Sequence, residues 1–168
     1  YWVEVTDNGC TGTDSLDAVF NLVPVVDLGP SISACEGDTI VLDAGNVGST
    51  YQWQDGSTSQ TFNATVNGSY VVTVSNGPCA AGDNVILTFN PVPSVGFGPD
   101  TIICKGFPMF LDATNANATY IWQDGTTDPF LFAEDPGTYS VIVTIAQCTA
   151  SYTIIIDQQD KPLVFLGE

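Results

Sequence analysis

The residues here with the widest choice of chemistry are five cysteines: Cys10, Cys35, Cys79, Cys104 and Cys148. A thiol can ligate a metal, attack an electrophile or oxidise in a pair. The first two roles want companions that are missing, because the chain has no His and no C-x-x-C. The lack of His also removes a Ser-His-Asp or Cys-His nucleophile. Nineteen Asp and Glu residues offer carboxylates that a glycosidase would need in a facing pair. Most of them stand singly among turn-forming residues. No catalytic residue and no metal centre is therefore assigned, and the chain is not read as an enzyme. Disulfide pairing is the remaining chemistry. Cys35 to Cys79 and Cys104 to Cys148 are equally spaced, so each pair is expected to close one loop. A loop of roughly 44 residues contributes about 4 kcal/mol in the chain-entropy account. Cys10 then wants a partner lying before Tyr1. A free thiol or a metal ligand is the competing reading at Cys10. Paired cysteines imply an oxidising place: periplasm, cell surface or medium.

The equal spacing belongs to a larger pattern. "YQWQDGSTSQTF" from Tyr51 returns as "YIWQDGTTDPFLF" from Tyr120, a shift of 69 in the numbering. Under that shift Cys35 falls on Cys104, Trp53 on Trp122, Leu42–Ala44 on Leu111–Ala113, and "GSYVVTV" on "GTYSVIV". About a third of the positions are identical without a gap, more than chance sustains. Backwards, Tyr1, Val3 and Val5 fall on Tyr70, Val72 and Val74, and Cys10 falls on Cys79. The expected organisation is the C-terminal part of one repeat at 1–24, whole repeats at 25–93 and 94–162, and the start of another at 163–168. Such a segment reads as a window on a tandem array. Pro24, Pro93 and Pro162 mark its junctions, where a fixed φ limits swivel.

The elements that must position these residues are strands. Apolar runs are short, β-branched and aromatic, with Gly, Asn, Asp and Pro between them. In the first whole repeat, strands are expected at 25–28, 39–43, 50–54, 61–66, 69–75 and 84–89, with a short one near 31–34. Strand alternation places Tyr70, Val72 and Val74 on one face. Tyr51 and Trp53 share a face, as do Tyr120 and Trp122, and Tyr139 matches Tyr70; these six aromatics are the expected core. "DG" at Asp55 and Asp124 reads as a hairpin turn. Trp2 aligns with Val71 and Ser140, on the opposite face, exposed or wedged at a junction.

About seven short strands, a Trp on a central strand and a Tyr and Cys later resemble the immunoglobulin-like plan, which implies an all-β fold of tandem β-sandwiches with one disulfide each. In antibody domains the Tyr sits two residues before the second Cys; here Tyr70 precedes Cys79 by nine. The second cysteine is thus expected beyond the strand end. "CEGD", "LDAG", "YQWQDG" and "GSYVVTV" together are similar to the Ig-like or PKD-like repeats of giant Bacteroidota surface proteins, including mobile adhesins of gliding motility and type IX secretion exports. The second repeat departs from this at "CKGFPMF". The resemblance makes Asp-(Ser/Thr)-aliphatic triplets relevant as O-glycan acceptors, at Ser15, Thr39 and Thr101. Asn63, Asn67 and Asn117 also head N-x-S/T triplets.

The net charge is −17, which repels nucleic acid and anionic membranes, and no apolar run is long enough to insert in a bilayer. No cofactor is expected. Structural calcium is the one candidate, on Asp43 with Asn46, Asp112 with Asn115, and Asp27 and Asp100 near the boundaries, against a reading of solvated turn residues. The functional expectation is a semi-rigid, non-catalytic rod in an extracellular or cell-surface fibre or adhesin. Its partners are neighbouring repeats, surface polysaccharide or other copies of itself. A carbohydrate-binding or spacer array of a secreted polysaccharide-degrading enzyme is the alternative. A self-assembling filament is a further one, for which "FPMFL" and "FLF" are the outward apolar stretches to inspect.

Overall fold

The computed structural model describes residues 1–162; the expected start of a further repeat at 163–168 lies outside the described residues. Among the described residues fourteen strands run in chain order: β1 (Trp2–Asp7), β2 (Cys10–Ser15), β3 (Ile32–Cys35), β4 (Ile40–Asp43), β5 (Thr50–Trp53), β6 (Thr61–Ala64), β7 (Gly68–Asn76), β8 (Cys79–Asn90), β9 (Thr101–Cys104), β10 (Met109–Asp112), β11 (Ala118–Trp122), β12 (Phe130–Ala133), β13 (Gly137–Ile145) and β14 (Cys148–Gln159). The starting positions of β3 to β8 recur one period later in β9 to β14, to within a single position.

Sheet order repeats as well. One four-stranded sheet runs β3-β8-β7-β5, and its counterpart runs β9-β14-β13-β11. Each is accompanied by a two-stranded sheet, β4-β6 and β10-β12. The first strand of each repeat pairs parallel to the last, Ile32 opposite Leu87 and Thr101 opposite Ile156, while β5–β7, β11–β13 and β13–β14 are antiparallel.

The alternation read from the sequence is the alternation of burial. Val72 and Val74 are fully buried and Tyr70 nearly so, while Val71 faces out; Val141 and Val143 are their buried counterparts. Leu42, Ala44, Trp53 and Ala64 are matched by Leu111, Ala113, Trp122 and Ala133. Burying such a set of apolar side chains is the main favourable term in a domain this small. Tyr51 and Tyr139 are only half-buried.

By packing, the chain separates into two compact units. One comprises Tyr1–Pro30, Val41–Asn63 and Ser69–Val85; the other comprises Ser31–Ile40, Ala64–Gly68 and the described residues after Val85. In the second unit Leu111, Ala113, Tyr120, Trp122, Ala133, Val141, Val143, Ile154 and Ile156 form one core, with Phe97 and Tyr152 against it.

Two local expectations need correction. Residues 25–28 form no strand. Their backbone groups are taken by side chains: Asn46 bonds both the N–H and the carbonyl of Val25, and the Asp83 carboxylate accepts from Leu28 N–H at 2.7 Å. Groups already occupied by side chains are not free to join a strand ladder. The Asp-Gly turns are tight, with φ of 86° at Gly56 and 84° at Gly125, but they are not hairpins. They lead from β5 to β6 and from β11 to β12, strands that belong to different sheets.

Candidate functional site at the repeat junction

Two of the five cysteines singled out in the sequence come together, and in an unexpected pairing. Cys35 is bonded to Cys148, with Cα atoms 5.6 Å apart across a sequence separation of 113. The pairs expected within each repeat, Cys35 with Cys79 and Cys104 with Cys148, do not form; Cys10, Cys79 and Cys104 are free. The reason is topological. Cys35 ends β3 beside Asn90, at the far end of the last strand of its repeat, whereas Cys79 opens that strand. The two lie at opposite ends of a 12-residue strand, roughly 36 Å long at about 3.3 Å per residue, well beyond the reach of a disulfide. The second cysteine does lie past the end of β7, as its distance from Tyr70 implied.

The surroundings of the bridge knit the end of one repeat to the next. The Cys148 sulfur is buried, 3.8 Å from the Ala34 carbonyl oxygen and 3.7 Å from that of Asn90. Glu36 N–H donates to the Asn90 carbonyl at 2.8 Å. The Gln147 side chain donates to the Ser33 carbonyl, and the Tyr152 hydroxyl donates to the Pro93 carbonyl. Pro93 itself is buried.

Just beyond that proline, Asn115 grips the backbone of Ser94, accepting from its N–H at 3.1 Å and donating to its carbonyl at 3.0 Å. Asn115 is held in turn by Tyr120, whose hydroxyl donates to the Asn115 carbonyl at 2.9 Å and accepts from its N–H at 2.8 Å. The same device occurs one repeat earlier. Asn46, at φ 53°, grips Val25, and the Tyr51 hydroxyl donates to the Gly45 and Asn46 carbonyls, each at 2.8 Å. These tyrosines therefore pack their rings and also fix, through a polar tip, the loop that holds the junction. The recurrence of Asn and Tyr five positions apart is visible in the sequence. Its meaning is not, because the partner is a backbone group some 21 residues away.

Elsewhere the singled-out residues have local duties. Trp53 and Trp122 are each 2% exposed and donate from Nε1 to the carbonyls of Ser59 and Asp128, both at 2.8 Å. Asp55 and Asp124 cap their turns at the backbone N–H of Ser57 and Thr126. Asp43 takes the Gln60 amide and Gly45 N–H, and Asp112 takes Thr114 N–H. Hydrogen bonds hold these carboxyls below the usual aspartate range: from the Gln60 side chain first for Asp43, Ser57 N–H for Asp55, the Thr114 side chain for Asp112 and the Thr126 side chain for Asp124. Leu28 N–H does the same for Asp83. Asp27 serves Gly29 N–H and Asp100 serves Ile155 N–H. Among the described residues no three His, Cys, Asp or Glu side chains come together as a metal would need.

Of the glycan candidates, Ser15 and Thr39 are exposed and Thr101 is half-buried in β9. Asn63 and Asn117 are exposed, whereas the Asn67 side chain is engaged by Phe89 N–H. Trp2 is 72% exposed. Among the described residues no helix is long and apolar enough to cross a membrane.

No protein-family model matches the chain, and no curated protein is similar to it in sequence. Solved structures are similar in fold. Domains 3–5 of the extracellular part of Drosophila OTK match with a TM-score of 0.50 and 12% identity, over 94% of this chain and 70% of that one. The insect immune protein hemolin matches with a TM-score of 0.53 and 12% identity, over 93% of this chain and 55% of that one. Fragment I67–I69 of titin matches at 0.45 and 16% over 85% of this chain and 67% of that one. Sheet order, the buried Trp and the likeness to OTK and hemolin agree on the fold: the chain is all-β and consists of tandem immunoglobulin-like sandwich repeats.

Proposed function

We propose that this chain is a non-catalytic, load-bearing segment of a long repetitive extracellular fibre or adhesin, of the kind its sequence motifs resemble in giant Bacteroidota surface proteins. The observation that carries the reading is the Cys35–Cys148 bridge, a covalent link from one repeat to the next across a short proline junction. Such a link keeps neighbouring repeats joined when the chain is pulled, which suits a segment under tension. The exposed β1–β2 hairpin supports the array. Val3 and Val5 are 55% and 62% exposed, while their counterparts Val72 and Val74 are fully buried. This hairpin has the sequence of an inner sheet, yet every residue of both its strands is exposed. The hemolin structure was described as having implications for homophilic adhesion, a property compatible with an adhesive role here. The high negative charge keeps such rods soluble and apart. Ser15, Thr39 and Thr101 are the proposed O-glycan acceptors, which intact glycopeptide mass spectrometry of native material tests.

A second reading, side-by-side assembly into a filament, is favoured by one observation. Phe110, Phe130 and Phe132 are each 42–52% exposed on the outer face of β10–β12, with ring centroids 5.2–6.2 Å apart. The carbohydrate-array reading is weaker, since the recurrent tryptophans are buried and the exposed phenylalanines do not recur. Electron microscopy of native surfaces labelled with an antibody to this segment separates the readings. Thin beaded threads are expected. Ordered bundles would favour the filament, and a compact secreted particle carrying a catalytic module would reject the fibre.

A further inference from the structure

Cys104 occupies the same seat as Cys35, one repeat later, and lacks its bond. Both end the first strand of a repeat, paired parallel with the last strand, Cys35 opposite Asn90 and Cys104 opposite Gln159. The next N–H donates across that pair in both cases, Glu36 to Asn90 at 2.8 Å and Lys105 to Gln159 at 3.0 Å. A tight turn then returns to the cysteine carbonyl, from Asp38 N–H and from Phe107 N–H, both at 3.0 Å. Cys79 likewise occupies the seat of Cys148. Its sulfur lies 3.7 Å from the Asn21 carbonyl oxygen, as the Cys148 sulfur lies 3.7 Å from that of Asn90, and Asn21 holds the position that Asn90 holds one repeat on. Cys104 is exposed and Cys79 half-buried.

We infer that Cys104, Cys79 and Cys10 are open ends of a disulfide ladder: Cys104 takes the second cysteine of the following repeat, and Cys79 and Cys10 each take the first cysteine of the repeat before their own. This rests on the array reading above. Each rung is made by thiol–disulfide exchange with a disulfide oxidant, an oxidised dithiol protein or oxidised glutathione. The Cys104 thiolate attacks one oxidant sulfur and releases a thiol. The neighbour's thiolate then attacks the Cys104 sulfur of the mixed disulfide and releases the second. Two protein thiols lose two protons and two electrons, and the oxidant's S–S bond becomes two thiols.

The ladder has a mechanical consequence that bridges within repeats lack. The span from Cys10 to Cys35 equals the span from Cys79 to Cys104. A load path that alternates rungs with these short spans crosses two repeats for each span. Fully stretched, that is about 90 Å in place of about 480 Å for the unbridged chain. Such an array unravels to roughly one-fifth of its contour length and no further.

The test is peptide mapping without reductant, after free thiols are blocked with N-ethylmaleimide. In the full native protein the Cys104 peptide is expected joined to one from the second-cysteine position of a following repeat. Cys104 joined to Cys148, or carrying maleimide in a protein that has further repeats, overturns the ladder. A native protein without further repeats overturns the array reading instead, and the ladder with it. A second arm appends one extra copy of residues 94–162 after position 162 and oxidises with oxidised glutathione. The present chain has three free cysteines. The extended chain is expected to keep three blocked thiols while its disulfides rise from one to two, and Cys104→Ser is expected to abolish the new one. Five blocked thiols in the extended chain overturn the inference.

Discussion

The two whole repeats share every strand position and almost none of the outer face of their small sheets. On β10–β12 the outward residues Phe110, Phe130 and Phe132 form an exposed aromatic cluster. The same positions in β4–β6 hold Val41, Thr61 and Asn63. Lys161 adds a cation 4.1 Å from the exposed Phe107 ring. Inside, the repeats differ by a compensating exchange. The first has Leu28 and Phe62, with the Phe62 ring 5.1 Å from Trp53. The second has Phe97 and Leu131 in those places, with Phe97 stacked on Trp122 at 5.8 Å. One large aromatic ring lies against the tryptophan in both, supplied from a different strand or loop. The fold constrains the volume around the tryptophan more tightly than the residue that fills it, and it leaves the outer face free to diverge.

The cysteines show the same contrast at larger scale. Within the first repeat the first cysteine is bonded and the second free; within the second the reverse holds. The bridge is thus a property of adjacent repeats and not of either one. Its removal is the largest expected effect. Cys35→Ser, or reduction, is expected to lower stability by about 5 kcal/mol on the chain-entropy account of a loop this long, measured by denaturant unfolding. Pulled from its ends, the oxidised chain should release less length than the reduced one by about 400 Å, at about 3.5 Å per bridged residue. An unchanged length would mean that the bridge carries no load.

The core exchange gives the next largest effect. Leu28→Phe and Phe62→Leu, which convert the first repeat's pair into the second's, are each expected to cost about 1–3 kcal/mol alone. Together they should cost clearly less than their sum; strict additivity in a double-mutant cycle would show the two positions to be independent. Asn115→Ala removes two hydrogen bonds to Ser94, and Asn46→Ala removes the equivalent pair at Val25. About 1–2 kcal/mol is expected for each, with faster hydrogen exchange at the residue released. The outer face is expected to matter least for stability. Phe110→Val, Phe130→Thr and Phe132→Asn together copy the first repeat's face and should change unfolding by less than about 1 kcal/mol per site. If the filament reading holds, sedimentation should show self-association lost in the triple variant; association that persists would discard the phenylalanines as its cause.

Acid offers a finer comparison. Asp43, Asp55 and Asp83 in the first repeat, and Asp112 and Asp124 in the second, are held below the ordinary aspartate range by hydrogen bonds. A lowered folded-state pKa contributes stability that is present above the unfolded value, about 3.9, and is lost as pH falls through the folded value. Tyr152 stands where the first repeat has Asp83. Below about pH 4, hydrogen exchange should therefore rise more around Leu28 than around its counterpart Phe97.

Much of this is legible in the chain itself. The period that carries Tyr51 onto Tyr120 and the alternation through Tyr70, Val72 and Val74 are translational or local signals, and burial follows them. The strand expected at 25–28 fails because Asn46 and Asp83, distant in sequence, supply the hydrogen bonds a neighbouring strand would have given. For the same reason Asn46 and Asn115 read in sequence as calcium candidates, and their grip on the junction does not show there.

Periodicity and side-chain alternation are written along one dimension, so the residues alone are enough to read a repeat of β-sandwiches with two cysteine positions in each. They do not say which cysteine meets which. A partner for Cys35 at Cys79 and one at Cys148 differ by one whole repeat and so respect the period equally well. The choice is made in three dimensions, where Cys79 opens the 12-residue strand β8, whose far end pairs with Cys35, while the next repeat brings Cys148 to within 5.6 Å, Cα to Cα, of Cys35.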